Sequence, residues 1–220
     1  MIHGIVFDMD GLMFDTERLA QQAWAYAGRK MGYDIPASLI LQVVGLDAES
    51  SKRLFLEHME PGFNFSAFRK ARLDYAEAYI EENGVPQKPG LLELLEYLSR
   101  HQYKTVVATS TAAERTNHYF EMTGFRHFFD SIICGDSVTN RKPAPDIYIK
   151  ACGKIHVAPG QCLALEDSPI GILAAHRAGM RPVMIPDLMQ PDEETKKLLF
   201  AQLSSLTDVI GLLERTNRDG

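Results

Sequence analysis

The sequence predicts a three-layer α/β core on a parallel, doubly wound sheet, with an all-helical domain inserted after the first strand. Short, continuous apolar runs rich in β-branched residues recur along the chain, and runs of this kind read as strands buried on both faces. Helical stretches separate the last four of them, as in a parallel sheet with crossover helices. Between the first run and the rest, from Phe14 to about Val85, only helical signals appear. With 220 residues and 45% hydrophobic content, the chain can build one domain with an insert, or two small domains sharing a buried core.

The first strand is Ile5-Val6-Phe7. The insert follows, over residues 15–85. Its two long candidate helices are Thr16–Met31, with Leu19, Ala23, Trp24 and Ala27 on one side, and an antiparallel Phe65–Glu82. Shorter helices near Pro36–Val43 and Glu49–Met59 join them, and the Pro- and Gly-rich stretch Gly84–Gly90 forms a hinge on the way out. Residues 1–14 and 86–220 make the core. Its later strands are Thr105–Ala108, Ser131–Cys134, Cys162–Leu165 and Arg181–Ile185, and its helices lie near Ala112–Thr123, Pro145–Lys154 and Pro169–Ala178. Asn217–Gly220 is expected to fray.

Charge and cysteine content narrow the function. The formal net charge of −6 is spread among interspersed acidic and basic residues, with no basic stripe for nucleic acid and no membrane-surface patch. No segment approaches a ~20-residue apolar span and no basic leader precedes the first strand, so a cytoplasmic location is expected; a monomer is expected as well. Cys134, Cys152 and Cys162 lie in apolar segments without a C-x-x-C pair, which suits buried reduced thiols. The histidines, such as His3 and His176, show no metal-ligand spacing. Trp24, Phe14, Met9, Met13 and Met31 fall at positions that suit packing.

The chemistry sits just past the strand ends. Asp8-Met9-Asp10-Gly11 follows the first strand, and in extended chain two carboxylates at i and i+2 point the same way, toward the crevice where open α/β sheets bind ligands. An EF-hand is excluded, because Leu12, Met13 and Leu19 stand where such a loop needs an oxygen ligand, a glycine and a glutamate. Thr109-Ser110 ends the second run, Arg141-Lys142-Pro143 follows the third, and Glu166-Asp167 ends the fourth. Singly each has a structural explanation: Thr109 or Ser110 as a helix cap, Lys142 as a loop charge, Glu166-Asp167 as capping for the helix at Pro169.

Together they suit phosphoryl transfer, which needs positioning and neutralised charge. Carboxylates alone would repel a phosphate, whereas Mg²⁺ prefers few carboxylates, waters and the phosphate itself. Asp8 and Asp167 are the natural side-chain ligands, with Glu166 direct or one shell removed. Lys142 adds a compact positive charge, and the Thr109 hydroxyl and Ser110 amide add donors for the transferring group.

FDMDGLMFDTE, VVATST, RKPAPDIY and LEDSPIG, in this order and spacing, resemble the four motifs of the haloacid dehalogenase superfamily. The similarity is to the branch with a helical cap after the first motif, which includes β-phosphoglucomutase-like proteins and phosphoglycolate and pseudouridine-5′-phosphate phosphatases. The resemblance implies a Rossmann-like core and hydrolysis of a small phosphorylated metabolite with Mg²⁺. It implies further that Asp8 attacks phosphorus and is transiently phosphorylated, while Asp10 protonates the leaving oxygen and activates water, its carbonyl binding the metal. Thr109 and Lys142 would hold the phosphate and Asp167 the metal. The cap would choose the substrate. Mutase relatives carry a histidine early in the first cap helix and basic residues around a cap loop, whereas this chain reads Thr16–Gln21 and Val43-Val44-Gly45-Leu46-Asp47, which argues for hydrolysis over phosphosugar transfer. Arg18 reads as a solvated helix arginine.

Overall fold

The computed structural model describes residues 1–43, 46 and 48–218. Val44, Gly45 and Asp47 of the cap-loop reading, and the end of the predicted fray, lie outside them. In chain order the elements are β1 (Gly4–Phe7), α1 (Thr16–Met31), α2 (Ala37–Gln42), α3 (Ala48–His58), α4 (Phe65–Asn83), α5 (Leu91–Arg100), β2 (Lys104–Ala108), α6 (Ala113–Thr123), β3 (Ser131–Ile133), α7 (Asp146–Ile155), β4 (Cys162–Glu166), α8 (Pro169–Arg177), β5 (Arg181–Met184), α9 (Glu193–Leu198), β6 (Ala201–Gln202) and α10 (Asp208–Arg218). The chain divides into two compact units, Met1–Phe14 with Gln87–Gly220, and Asp15–Pro86.

The first unit is the predicted α/β core. Its strands run in the order β3-β2-β1-β4-β5-β6, with every pairing parallel. The chain leaves β1 toward β2 and β3 and then returns to the other side for β4, so the strand order reverses between β1 and β4. Ligand crevices of doubly wound sheets open at the carboxyl ends of strands flanking such a reversal. β1 and β4 are buried at every position, as continuous apolar runs require when helices cover both faces. One core cluster joins Val6, Val106, Ala108 and Ile133 of the sheet to Ile147, Tyr148, Ala151 and Cys152 of α7.

Several elements go beyond the sequence reading. The helix α5 buries Leu91, Leu94, Leu95 and Leu98, an i, i+3, i+4, i+7 stripe that was there to be read. The edge strand β6 spans two residues, too short for any period to show. Asn217 belongs to the last turn of α10 rather than to a frayed tail, since its Oδ1 accepts the Ile2 amide at 2.7 Å. The three cysteines are free and buried, as expected. No helix among the described residues is long and apolar enough to cross a membrane.

The second unit is all-helical. Its core gathers Trp24, Ala27, Leu39, Ile40, Phe55, Phe63, Phe65 and Phe68. Trp24 of α1 stacks on Phe68 of α4 with ring centroids 4.9 Å apart, which gives the predicted packing role of Trp24 its geometry. Gly32, in the left-handed region at φ 75°, ends α1, and the Asn64 side chain caps α4 by accepting the Ala67 amide at 3.0 Å. Where the chain crosses between units, it is pinned within each: Asp15 N–H donates to the Pro86 carbonyl at 2.8 Å, and Lys88 N–H to the Met13 carbonyl at 2.9 Å.

Candidate active site

Asp8 extends the β1 ladder by one residue, its amide donating to the Leu165 carbonyl at 3.0 Å. The chain then turns sharply: Met13 and Phe14 amides both reach the Met9 carbonyl, and the Gly11 amide reaches the Phe14 carbonyl at 2.8 Å. Gly11 makes this possible with φ at 82°, a region that a β-carbon disfavours. Asp10 is thereby set opposite the end of β2. Its Oδ2 accepts the Thr111 hydroxyl at 2.6 Å and the Thr109 hydroxyl at 3.4 Å, and Thr109 Oγ1 accepts the Thr111 amide at 3.0 Å.

Thr111 is a site residue that the sequence reading passed over, because a threonine just before a helix reads as ordinary capping. Ser110, between the two threonines, turns its side chain to solvent. Its carbonyl lies against Gly135, where a β-carbon would stand 2.2 Å from the oxygen. Only a glycine at 135 allows that approach.

Lys142 lies on the loop before α7 and reaches back into the core, its side chain 7% exposed. Its Nζ donates to Asp8 Oδ1 at 2.6 Å, Glu166 Oε1 at 2.7 Å and the Ala108 carbonyl at 3.1 Å. These contacts account for all three N–H groups of an ammonium. The lysine is therefore no solvated loop charge. Beneath it lies the Tyr148 ring, whose centroid is 4.8 Å from Nζ, and the Tyr148 hydroxyl donates to Glu166 Oε1. Ser168 Oγ donates to Glu166 Oε2 at 3.2 Å while accepting the Gly171 amide as the N-cap of α8.

Glu166 is completely buried. Burial of a carboxylate is tolerated only with partners such as these. It also dictates its neighbour, since a β-carbon on Gly171 would sit 1.9 Å from Glu166 Oε1. Neither side can yield, because the carboxylate is held at both oxygens. Gly171→Ala should therefore destabilise the protein by about 1–3 kcal/mol, the usual cost of overpacking, and should displace Glu166 from Lys142. Urea denaturation and a turnover assay on the same preparation check both effects; an unchanged midpoint would contradict the clash.

Asp8, Glu166 and half-buried Asp167 each offer a carboxylate oxygen, and these oxygens lie within 4.8 Å of one another. Burial, ahead of the opposing Lys142 charge and reinforced by Glu166 and Asp10, pushes the Asp8 carboxyl up to about 8. Burial would lower the Lys142 ammonium, but the Asp8 and Glu166 carboxylates outweigh it and hold it well above the usual lysine range. The cluster thus holds more negative charge than one lysine balances, a surplus that a divalent cation would neutralise. All these groups belong to the α/β unit; none comes from Asp15–Pro86.

Residues 5–185 match the family described as haloacid dehalogenase-like hydrolase. The chain is 36% identical over 212 residues to the probable pseudouridine-5′-phosphatase of Drosophila melanogaster, covering 92% of this chain and 89% of that protein. It is 27% identical over 182 residues to the phosphorylated carbohydrates phosphatase of Thermotoga maritima, covering 83% and 84%. Among solved structures it resembles CbbY from Rhodobacter sphaeroides in complex with phosphate, with a TM-score of 0.76 and 27% identity over 95% of this chain and 96% of that one.

Proposed function

The chain belongs to the haloacid dehalogenase-like hydrolases, and from that premise we propose that it is a Mg²⁺-dependent phosphatase of small phosphate monoesters, working through a phosphorylated Asp8. The observation that carries this reading is the buried Lys142 ammonium at the strand reversal, shared between Asp8 and Glu166 inside a carboxylate cluster. Relatives named as phosphatases of a nucleotide-like and of carbohydrate phosphates support the substrate class.

In this reading an Asp8 oxygen attacks phosphorus, an O–P bond forms, and the bond from phosphorus to the leaving oxygen breaks. Asp10 gives that oxygen its proton. Water then attacks the aspartyl phosphate, Asp10 takes its proton, and inorganic phosphate leaves with Asp8 restored. The Thr109 and Thr111 hydroxyls keep Asp10 aimed for both transfers. Lys142 fixes the Asp8 carboxylate and offers the transferring group its positive charge, while Thr109 and the Ser110 amide offer donors. Asp8, Asp167 and the Asp10 carbonyl would hold Mg²⁺, which supplies charge neutralisation at the phosphate oxygens. Glu166, with both oxygens engaged by Lys142, Tyr148 and Ser168, would act on that cation through its charge.

Asp15–Pro86 carries none of these groups, and we assign to it the choice of leaving group. A panel of nucleoside, sugar and glycolate phosphates should release inorganic phosphate with Mg²⁺, stop on chelation, and resume with Mg²⁺ but not Ca²⁺, a larger cation with looser coordination that would tie up the Asp8 carboxylate. Full activity in excess chelator refutes the metal assignment. β-Glucose 1-phosphate should yield no glucose 6-phosphate even with a bisphosphate primer; its formation faster than phosphate release would replace the hydrolase with a mutase.

A further inference from the structure

We infer that Tyr148 is a positioning residue for the reaction, holding the Lys142 ammonium in register with Asp8 through both its ring and its hydroxyl. The inference rests on the phosphatase reading. Tyr148 is fully buried on α7, six residues beyond the lysine that it serves. Its ring lies under Nζ, and its hydroxyl donates to the same Glu166 oxygen that Lys142 contacts. The ammonium is therefore fixed from two sides by one side chain: the ring sets its height, and the phenol sets the carboxylate against which it rests. Its remaining hydrogens are then aimed at Asp8 Oδ1 and the Ala108 carbonyl.

A phenylalanine at 148 would keep the ring and every packed carbon. It would remove only the donor. Glu166 Oε1 would then have Lys142 as its sole partner at that oxygen and would draw the ammonium toward itself, away from Asp8. The nucleophile would lose part of the contact that orients it, while groups that meet the substrate's leaving half would be unchanged. The loss should therefore fall on kcat and spare KM. No carboxylate oxygen is orphaned, since Lys142 and Ser168 remain, so the variant should fold.

The test compares purified Tyr148→Phe, Tyr148→Leu and Ile147→Val with the wild type on one phosphate monoester that the wild type hydrolyses, in Mg²⁺. Ile147 is a buried neighbour on the same helix with no place in the chemistry, and reports what a packing loss alone does. Tyr148→Phe should lower kcat by about tenfold with KM within about twofold, the size expected for one hydrogen bond to a charged group. Tyr148→Leu, which also removes the ring, should lower kcat further. Ile147→Val should shift the melting midpoint and leave kcat alone. A folded Tyr148→Phe with wild-type kcat overturns the inference, as does a kcat loss in Ile147→Val matching that of Tyr148→Phe. Asp8→Asn is run alongside: if it is inactive while Tyr148→Phe is normal, only the role of Tyr148 falls, and if it is active, Asp8 is not the nucleophile and the role of Tyr148 in aligning Lys142 with it falls too.

Discussion

Asp8→Asn is expected to abolish phosphate release, by on the order of 10⁴-fold or more, without harming the fold. The carboxamide matches the carboxylate in shape, so its oxygen can still accept the Lys142 ammonium and the strand end needs no adjustment. What it lacks is the charge and basicity to attack phosphorus and carry the phosphoryl group. Stability should move the other way. The Asp8 carboxyl is pushed up to about 8, chiefly by burial, and an unfolded aspartate titrates near about 3.9. A group raised in the folded state gives its full stability below the unfolded value and loses it as pH rises through the folded one. Metal-free wild type should therefore weaken between roughly pH 4 and pH 8, and Asp8→Asn should lack that part of the decline. Phosphate release and urea midpoints across this range check the two halves separately. Residual turnover near the wild-type rate would remove Asp8 as the nucleophile, whatever the stability curves show.

The parts of this molecule legible in its sequence are those where one physical constraint acts alone. Strands buried on both faces must be apolar throughout, so β1 and β4 announced themselves, and so did the carboxylates just beyond them. The helical insert was legible because Leu19, Ala23, Trp24 and Ala27 fall on one side of a long helix. Tyr148 was hidden because it satisfies two constraints at once. It sits in line with Ala151, Cys152 and Ile155 on the apolar face of α7, and nothing in that spacing tells that its hydroxyl ends on Glu166. The start of α8 at Pro169 was visible, but its capping was read onto Glu166-Asp167, whereas Ser168 is the cap, and its second bond to Glu166 depends on the strand end folding back beside it. Gly171 gave no signal at all, since a glycine inside a helix reads as a weak helix former until the carboxylate above it is seen. Glu166 shows the same limit from the other side. Its position beside Asp167 suggested a metal ligand, and only the three-dimensional partners show how fully its oxygens are used.

Lys142→Met should be nearly as damaging to turnover as Asp8→Asn, and unlike it should also weaken the fold. Methionine fills much of the stem volume of the lysine, so packing is largely kept and the change isolates the charge. Asp8 and Glu166 would then face each other across a buried site with no cation, and removing one partner of a buried pair costs about 3–5 kcal/mol. In the wild type the lysine pKa is held well above its usual range, so its contribution is full at neutral pH and is lost only as pH rises through that high folded value. The variant should therefore show its deficit throughout the neutral range, and the deficit should grow with pH, because the stranded carboxyls must ionise without a counter-charge. Urea midpoints should fall further near about pH 8 than near about pH 5. Turnover, measured where the variant is still folded, should drop by roughly 10³-fold, since Asp8 loses its orienting partner and the transferring group a preorganised positive charge. Lys142→Arg should not rescue it: the planar guanidinium spreads its donors and cannot place three of them on Asp8, Glu166 and the Ala108 carbonyl from one atom. A Lys142→Met protein that is destabilised but turns over normally would reduce the lysine to a structural counter-ion, leaving Asp8 to be oriented by its strand alone.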